Sequence, residues 1–304
     1  MLLAIWISVN IYLDEFGLFR DVSERELRIY TSERFAKYLF SLHYIPSKFN
    51  GVLLGPSLSD IIDTKGITAA RIYNLSITGG NATELRRLFE NVVLKSGRLQ
   101  IVVICVDPFI TRKTGMEELE LDSRLYWSSL GSTSTFNYYK KKQNILRGKV
   151  SPDMSKNSEW GRYHFIIPRP VPASKLITTY ATSKNTVSEP YHIDPVALAD
   201  LKAIVNLAQQ KKIRMFAYYH PYPYQVYSSI QKEFEAYKAH IAGIFGPEDV
   251  IWDFNDSRYQ AFRSDYRNYL DQVHLSDQGE AYFTKEFNRL LTEKLSRNST
   301  AIYQ

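Results

Sequence analysis

The chain of 304 residues is long enough to bury a sizeable core, as one large domain or as one domain with an insertion. Its apolar and charged fractions, 44% and 23%, exclude a chain that is disordered by default. The net charge of +6 is too modest to indicate nucleic-acid binding by itself, and it would equally attract an anionic glycan or a membrane surface. The single cysteine, Cys105, excludes an intrachain disulfide and lies in an apolar run typical of a core strand.

The first stretch, residues 1–13, is mostly apolar and ends at an acidic pair. It is shorter than the ~20 residues that cross a bilayer, and no basic residue precedes it as in a signal peptide. Two interpretations remain open. It is the outer part of a signal-anchor helix, which Trp6 and Tyr12 favour as interfacial aromatics, or it is a buried helix or strand of a soluble protein. Residues 1–20 are therefore a candidate anchor remnant, and residues 21–304 form the main domain.

Strands and helices alternate through the rest of the chain. A charged and aromatic stretch with helical spacing, residues 18–40, predicts a helix that leads into the domain. Apolar runs then predict five strands, at residues 51–55, 71–75, 100–106, 212–219 and 250–252. Helical patterns follow them, from Thr83 as a cap and over residues 194–207, 224–244, 258–270 and 276–295. This alternation predicts an α/β fold: a three-layer, doubly wound, mostly parallel five-stranded sheet.

The alternation stops between residues 111 and 190, a region rich in Ser, Thr, Tyr, Trp and Lys. A structureless loop of this length is unusual in a compact domain, so we expect an insertion or lid packed over the strand ends. Its expected local core consists of Trp127, Trp160, Tyr163 and Phe165. The basic cluster at residues 140–142 either holds an anionic polymer or forms a solvated face.

Two turns at the carboxyl ends of strands carry candidate catalytic residues. The first strand breaks at Gly55-Pro56 and places Ser57 in the following turn, where Ser is either a nucleophile or an ordinary helix cap. Asp271 and His274 follow the fifth strand. A histidine used as a general base needs a partner that fixes its tautomer, and an aspartate three residues earlier can supply it. Since both turns lie on the same edge of one sheet, we expect these side chains to meet.

The sequence around these residues resembles the SGNH (GDSL-type) hydrolases. Residues 55–58, Gly-Pro-Ser-Leu, are similar to their first block, Gly-Asp-Ser-Leu, with Pro56 in place of Asp. Residues 74–79, Asn-Leu-Ser-Ile-Thr-Gly, resemble the second block, and Asp271-x-x-His274 resembles the last. The order agrees over about residues 50–110 and 195–295. The resemblance implies a flavodoxin-like α/β domain, with the intervening region as an insertion.

The resemblance also implies roles for individual residues. Ser57 would attack an ester carbonyl, His274 would take its proton, and Asp271 would orient His274. The backbone N–H groups of Ser57 and Gly79 would bind the oxyanion. The third block normally supplies an asparagine as another donor, but this chain has Asp107 there, and an ionised carboxylate cannot donate. Either Asp107 points away, or it stays protonated, or another donor such as Asn81 replaces it.

Shorter matches suggest a subgroup of that family. Residues 12–17, 159–161 and 219–221 are similar to membrane-anchored envelope members, close to the alginate acetylation proteins. This implies an O-acetylesterase or O-acetyltransferase of a cell-envelope or exported polysaccharide, located in the periplasm or otherwise outside the cytoplasm. Whether water or a sugar hydroxyl resolves the acyl-enzyme stays open. The alternatives are a catalytically silent glycan-binding or assembly protein and a soluble cytoplasmic esterase.

Asp107 and other polar residues at strand ends are candidate substrate contacts. His220 ends the fourth strand and either touches substrate or has a structural role, and Tyr219, Tyr222 and Tyr224 could stack on sugar rings. The remaining histidines show no ligand spacing, so no metal site is predicted. We find no phosphate-binding glycine loop and no dinucleotide motif, so no cofactor is expected. The sequence has no zinc-finger spacing and no Lys/Arg tract longer than residues 140–142, so no nucleic acid is expected.

Overall fold

The computed structural model describes residues 2–20, 28–29, 33–113, 121–149, 156–157, 159–163, 171–183 and 191–300. Its central sheet has five strands: β1 (Gly51–Leu54), β2 (Ile72–Asn74), β3 (Ile101–Cys105), β4 (Arg214–Tyr219) and β5 (Val250–Asp253). They lie in the order β2-β1-β3-β4-β5, and every neighbouring pair is parallel. The predicted five-stranded parallel α/β sheet is confirmed, with the strand order of flavodoxin-like folds.

The described residues also form twelve α-helices: α1 (Leu2–Leu13), α2 (Glu33–Leu42), α3 (Tyr44–Lys48), α4 (Ser57–Asp60), α5 (Ala82–Lys95), α6 (Ser123–Ser129), α7 (Thr133–Leu146), α8 (Ala173–Thr182), α9 (Pro195–Gln210), α10 (Tyr224–Ala242), α11 (Gln260–Ser264) and α12 (Asp277–Thr300). The helices predicted after the strands correspond to α5, α9, α10, α11 and α12. The three in the insertion, α6 to α8, had no distinct sequence pattern.

Helices cover both faces of the sheet. On one face, Tyr218 of β4 packs against Phe283 and Phe287 of α12, and Trp252 of β5 packs against Phe287 as well. On the other face lie α5, α9 and α10, with Tyr219 of β4 against α10. Every residue of β1 and β3 is buried, because both faces of these central strands are covered. The result is the predicted three-layer arrangement.

The helix predicted over residues 18–40 is wrong in its first part. Among the described residues of that range, the helix begins at Glu33. Asp14 explains why the chain turns away earlier: its carboxylate accepts the backbone N–H groups of Leu18 and Arg20 at 2.7 and 2.9 Å. Gly17, which lies between Asp14 and Leu18, adopts a φ of +62°. These interactions compete with helix formation, and a charged, aromatic pattern does not reveal them.

The apolar first stretch forms a helix that packs on the insertion. The Trp6 ring of α1 contacts Phe136 and Tyr139 of α7, with centroids 5.9 and 5.8 Å apart. Glu15, just after α1, accepts from the Tyr138 hydroxyl and pairs with Lys142. Among the described helices, none has both the length and the apolar character needed to span a bilayer.

The expected local core of the insertion is only partly present. Trp160 packs against the Phe49 ring at 5.2 Å, and its carbonyl accepts the N–H of Asn74. Trp127 is 67% exposed on α6, so its placement in a core was wrong. An aromatic side chain in an amphipathic stretch does not indicate which face will be covered. Tyr163 bonds through its backbone to Asp60, and Phe165 lies outside the described residues.

Candidate active site

Ser57 is the first residue of α4, directly beyond the carboxyl end of β1. Gly55 makes this turn feasible. A Cβ atom on Gly55 would lie 2.2 Å from Ser59 Oγ and 2.7 Å from Cys105 Cβ, so only glycine lets the turn approach β3 so closely. Ser57 therefore begins its helix at the carboxyl edge of the sheet, beyond a strand that lies between β2 and β3, and is partly accessible to solvent.

Asn74 fixes the other end of this short helix. Its side-chain amide donates to the carbonyls of Ser59 and Ile62 at 2.8 and 2.9 Å, while its Oδ1 accepts the N–H of Ser76. Asn74 belongs to the second sequence block, but its role in holding α4 was not predicted. Its position as the last, fully buried residue of β2 is the signal that could have indicated it, because a buried amide needs several partners.

The structure brings Ser57, His274 and Asp271 together. Ser57 Oγ lies 2.9 Å from His274 Nε2, across 217 positions of sequence. His274 Nδ1 lies 3.0 Å from Asp271 Oδ2 and 3.1 Å from Oδ1. Asp271 also accepts the backbone N–H groups of Val273 and His274 at 2.9 and 2.8 Å, so the turn itself fixes the carboxylate. The imidazole is thus bound on both nitrogens, by a hydroxyl on one side and a carboxylate on the other.

Electrostatics favour an ionised Asp271. Burial alone would raise the pKa of its carboxyl group, but the hydrogen bond and charge of His274 and the backbone N–H groups lower the pKa to about 2. An ionised Asp271 accepts the Nδ1–H of His274. In the neutral ring, Nε2 then carries the lone pair that accepts the hydroxyl proton of Ser57.

His220 supports the turn from below and does not face the site. It is fully buried, and its Nε2 lies 3.0 Å from the carbonyl oxygen of Val273. A carbonyl only accepts, so Nε2 carries the proton. Burial lowers the pKa of His220 to about 3, and the ring is neutral. Of the two roles that the sequence left open for His220, the structural one fits this geometry, and its burial contradicts contact with substrate. A strand-end position alone does not distinguish a side chain that faces the ligand from one that faces the core.

The candidate oxyanion donors lie on two segments, the start of α4 and the loop after β2. As the first residue of its helix, Ser57 has a backbone N–H without an intrahelical acceptor. Gly79 has a φ of +64°, a conformation that glycine adopts without strain, and its carbonyl accepts from the Arg112 guanidinium. That hydrogen bond involves the carbonyl, so the Gly79 N–H keeps its capacity to donate.

Asn81 does not serve as a third donor. Its Oδ1 accepts the N–H of Glu84 at 3.2 Å and its own N–H is bound by the Glu84 carboxylate, which makes Asn81 the cap of α5. Its amide nitrogen donates to the carbonyls of Arg112 and Lys113. The predicted cap, Thr83, lies inside the helix instead. Thr83 as the cap and Asn81 as an alternative oxyanion donor were both wrong, because asparagine caps a helix as well as threonine does.

Asp107 is fully buried, and both of its oxygens are occupied. Oδ2 accepts the Tyr222 hydroxyl at 2.7 Å, and Oδ1 accepts the backbone N–H of Phe109 at 3.1 Å. Burial raises its pKa to about 6, although the Tyr222 hydrogen bond and the nearby His274 counteract this. Of the three sequence alternatives, the geometry fits a carboxyl group that is turned into the protein rather than toward an oxyanion. Direct substrate contact by Asp107 was therefore a wrong expectation.

The tyrosines beyond β4 differ in exposure. Tyr219 and Tyr222 are buried, against the Phe234 ring of α10 in both cases, so their expected stacking on sugar rings was wrong. Tyr224, the first residue of α10, is 41% exposed. Among the described residues, no group of three or more His, Cys, Asp or Glu side chains is arranged to hold a metal ion.

Comparison with protein-family models found no match, and comparison with curated proteins found none. Similar solved structures include a protein from Streptococcus pneumonia provisionally described as a platelet activating factor, with 14% identity, a TM-score of 0.45 and coverage of 93% of this chain and 99% of that one. A GDSL-like lipase from Bacteroides thetaiotaomicron has 10% identity, a TM-score of 0.43 and coverage of 95% and 99%. A provisionally described acylhydrolase from Bacteroides fragilis has 12% identity and a TM-score of 0.36, with coverage of 81% of this chain and 87% of that one.

Proposed function

We propose that the protein is a serine acyl-ester enzyme, an O-acetylesterase or O-acetyltransferase, that acts on a cell-envelope or exported polysaccharide. The observation that supports the chemistry is the continuous relay from Ser57 Oγ through His274 to Asp271, with contacts of 2.9 and 3.0 Å. These are hydrogen-bond distances, and the lowered pKa of Asp271 keeps its carboxylate ionised, as the reaction needs.

The reaction proceeds in two halves. The Ser57 oxygen attacks the ester carbonyl while its proton passes to His274 Nε2, and the carbonyl oxygen becomes an oxyanion held by the N–H groups of Ser57 and Gly79. Collapse of this intermediate breaks the bond to the leaving alcohol, which takes the proton from Nε2. In the second half, an incoming hydroxyl gives its proton to Nε2 and attacks the acyl carbon. Ser57 leaves and regains the proton.

The buried Asp107 has a consequence for the rate. In this conformation the oxyanion has two backbone donors and no side-chain donor from this position, and loss of one donor typically costs about 10²–10³ in rate. We therefore expect slow hydrolysis of simple esters. A slow reaction with water is compatible with transfer to a sugar hydroxyl, because an acyl-enzyme that resists water survives until the acceptor binds.

The envelope part of the proposal is supported by the sequence resemblance and by surface features. Tyr224 offers an exposed ring near the end of β4, where a sugar could stack. The N-terminal helix supports a membrane contact, since Leu3, Ile5 and Tyr12 are 63%, 52% and 75% exposed. Binding of the protein to anionic lipid vesicles, and its weakening by Ile5→Ser, tests this contact by co-sedimentation.

Acyl transfer to Ser57 is tested with p-nitrophenyl acetate. The expected result is an acetyl group on the peptide that contains Ser57, found by mass spectrometry after an acid quench. Ser57→Ala removes the adduct, and His274→Ala lowers the rate by about 10³-fold or more. Matched controls are Ser229→Ala and His240→Ala, both on α10, which should leave the rate unchanged. A folded wild-type protein without adduct and without turnover would contradict the proposal.

The substrate class is tested with O-acetylated polysaccharides in the same buffer. Release of acetate indicates an esterase, whereas movement of the acetyl group to an added oligosaccharide indicates a transferase. If the protein forms the Ser57 adduct but yields neither product, the acyl-ester chemistry stands and the polysaccharide is rejected as its substrate.

A second candidate function is a catalytically silent glycan-binding or assembly protein. The carboxylate at position 107 favours it, because a third oxyanion donor is replaced there by a group that cannot donate when ionised. This function predicts that Ser57→Ala leaves polysaccharide affinity unchanged and that Tyr224→Ala weakens it. Isothermal titration with the acetylated polymer measures both.

A further inference from the structure

A buried lysine lies between the two segments that carry the candidate oxyanion donors. Lys37 belongs to α2, and its side chain is completely buried. Its Nζ lies 2.7 Å from Asp60 Oδ1 and 2.8 Å from Glu33 Oε1, and it also donates to the carbonyl of Ser76. A buried charge is costly unless it is paired and hydrogen-bonded, so this lysine has a defined set of partners rather than a solvated role.

The partners of Lys37 belong to both segments. Asp60 is the last residue of α4, the short helix that Ser57 begins. Its other oxygen, Oδ2, accepts the Thr78 hydroxyl at 2.9 Å. The backbone N–H of Thr78 donates to Glu33 Oε2 at 3.0 Å. Thr78 is therefore held through its side chain and its backbone, immediately before Gly79.

The charged groups of the cluster shift one another's pKa values. Burial and the neighbouring Glu33 raise the pKa of Asp60 well above its usual range. Burial alone would raise the pKa of Glu33 too, but the Lys37 ammonium lowers it. The Lys37 ammonium acts in the opposite direction to burial at both carboxyl groups, because it stabilises the ionised form of each. Removing the ammonium would leave the carboxyl groups without the charge that holds them together.

We propose that Lys37 is a positioning residue for the reaction. Through Asp60 and Thr78 it fixes the distance between the N–H of Ser57 and the N–H of Gly79, which an oxyanion must contact together. Lys37 itself touches no substrate. This inference rests on the proposed function. It states that the turnover number also depends on Lys37, a residue outside the relay of Ser57, His274 and Asp271.

The test compares Lys37→Met with a matched variant, Lys238→Met. Lys238 also bridges two carboxylates, Glu235 and Asp253, at 2.6 Å each, but joins α10 to β5 instead. With p-nitrophenyl acetate, Lys37→Met should lower kcat by about 10- to 100-fold and change KM little, because misplacement by about 1 Å can cost 10² in rate. Lys238→Met should leave kcat of the folded protein unchanged.

Thr78→Val provides a milder variant in case Lys37→Met does not fold. It removes one hydrogen bond and keeps the shape of the side chain. It should lower kcat in the same direction, and in a Lys37→Met background it should add little, since both changes act on one network. Additive effects, or an unchanged kcat in either single variant, would overturn the inference while the Ser57 adduct still supports the enzyme.

A second measurement does not depend on activity. Hydrogen–deuterium exchange should be faster for the amides of residues 76–80 in Lys37→Met than in wild type, and unchanged there in Lys238→Met. If the wild type shows no Ser57 adduct, the proposed function fails and this exchange result alone decides whether Lys37 orders the loop. Unchanged exchange at residues 76–80 would overturn the positioning role.

Discussion

Relative to wild type, the variant Asp107→Asn should gain stability as the pH rises from acidic to neutral. Burial raises the pKa of this carboxyl group from 3.8 to about 6. A raised pKa means that the folded state disfavours the ionised form. The stability associated with this group is therefore fully present below about pH 4 and is lost as the pH rises through 6.

The size of the effect follows from the pKa difference. At about 1.4 kcal/mol per pKa unit, ionisation of Asp107 costs the folded state about 3 kcal/mol, of which about 2 kcal/mol falls between pH 4.5 and 7.5. Asparagine keeps the shape and never ionises. Its Oδ1 can accept the N–H of Phe109, and its Nδ2 can donate to the oxygen of Tyr222, so both pairs stay hydrogen-bonded, the second with its direction reversed.

Urea unfolding at pH 4.5 and pH 7.5 measures this difference. The free energy of unfolding of Asp107→Asn minus that of wild type should rise by about 2 kcal/mol between the two values. The control is Asp265→Asn: because Arg267 lowers the pKa of this partly exposed carboxyl group, the substitution should not gain stability as the pH rises. A difference for Asp107→Asn that is constant with pH, or that falls, would refute the reasoning about its burial.

Two further predictions concern the support of the site. His220→Phe removes the donor to the Val273 carbonyl, so we expect kcat for p-nitrophenyl acetate to fall by about 10-fold or more as the His–Asp turn loosens, and an unchanged kcat would contradict this role. Gly161→Ala would place a Cβ 2.1 Å from the Asn74 carbonyl at a φ of +85°, so thermal and urea unfolding should show a loss of about 2 kcal/mol or more. Gly97→Ala, with nothing within 4 Å, is its control and should stay within about 0.5 kcal/mol of wild type.

The sequence predicts the sheet well because its signal is local. Strands buried on both faces must be continuous apolar runs, and residues 101–105 and 51–54 have no polar interruption. The meeting of Ser57 with His274 could also be predicted, since parallel strands bring their carboxyl ends to one edge and both residues follow such ends.

Most of what supports the site could not be predicted, for a physical reason. His220, Tyr222 and Asp107 lie at the same edge as Ser57, yet their side chains point into the protein. Tyr222 donates to Asp107, and His220 donates to the Val273 carbonyl, so none of these three hydrogen-bonding groups is left for solvent. Sequence position gives the edge but not the direction of a side chain. Lys37 is a stronger case: its spacing of four from Glu33 is typical of an exposed helical ion pair, whereas here the pair is buried.

The separation of Ser57 and His274 along the chain has a consequence during synthesis. The Ser57 hydroxyl leaves the ribosome more than two hundred residues before the His274 imidazole, so a nascent chain holds this alcohol without the base that the proposed function requires. Only when β5 has joined the sheet and the turn before α12 has formed does the pair exist. Partly made or nicked chains that lack this last segment should therefore be chemically inert toward the esters that the finished protein would cleave.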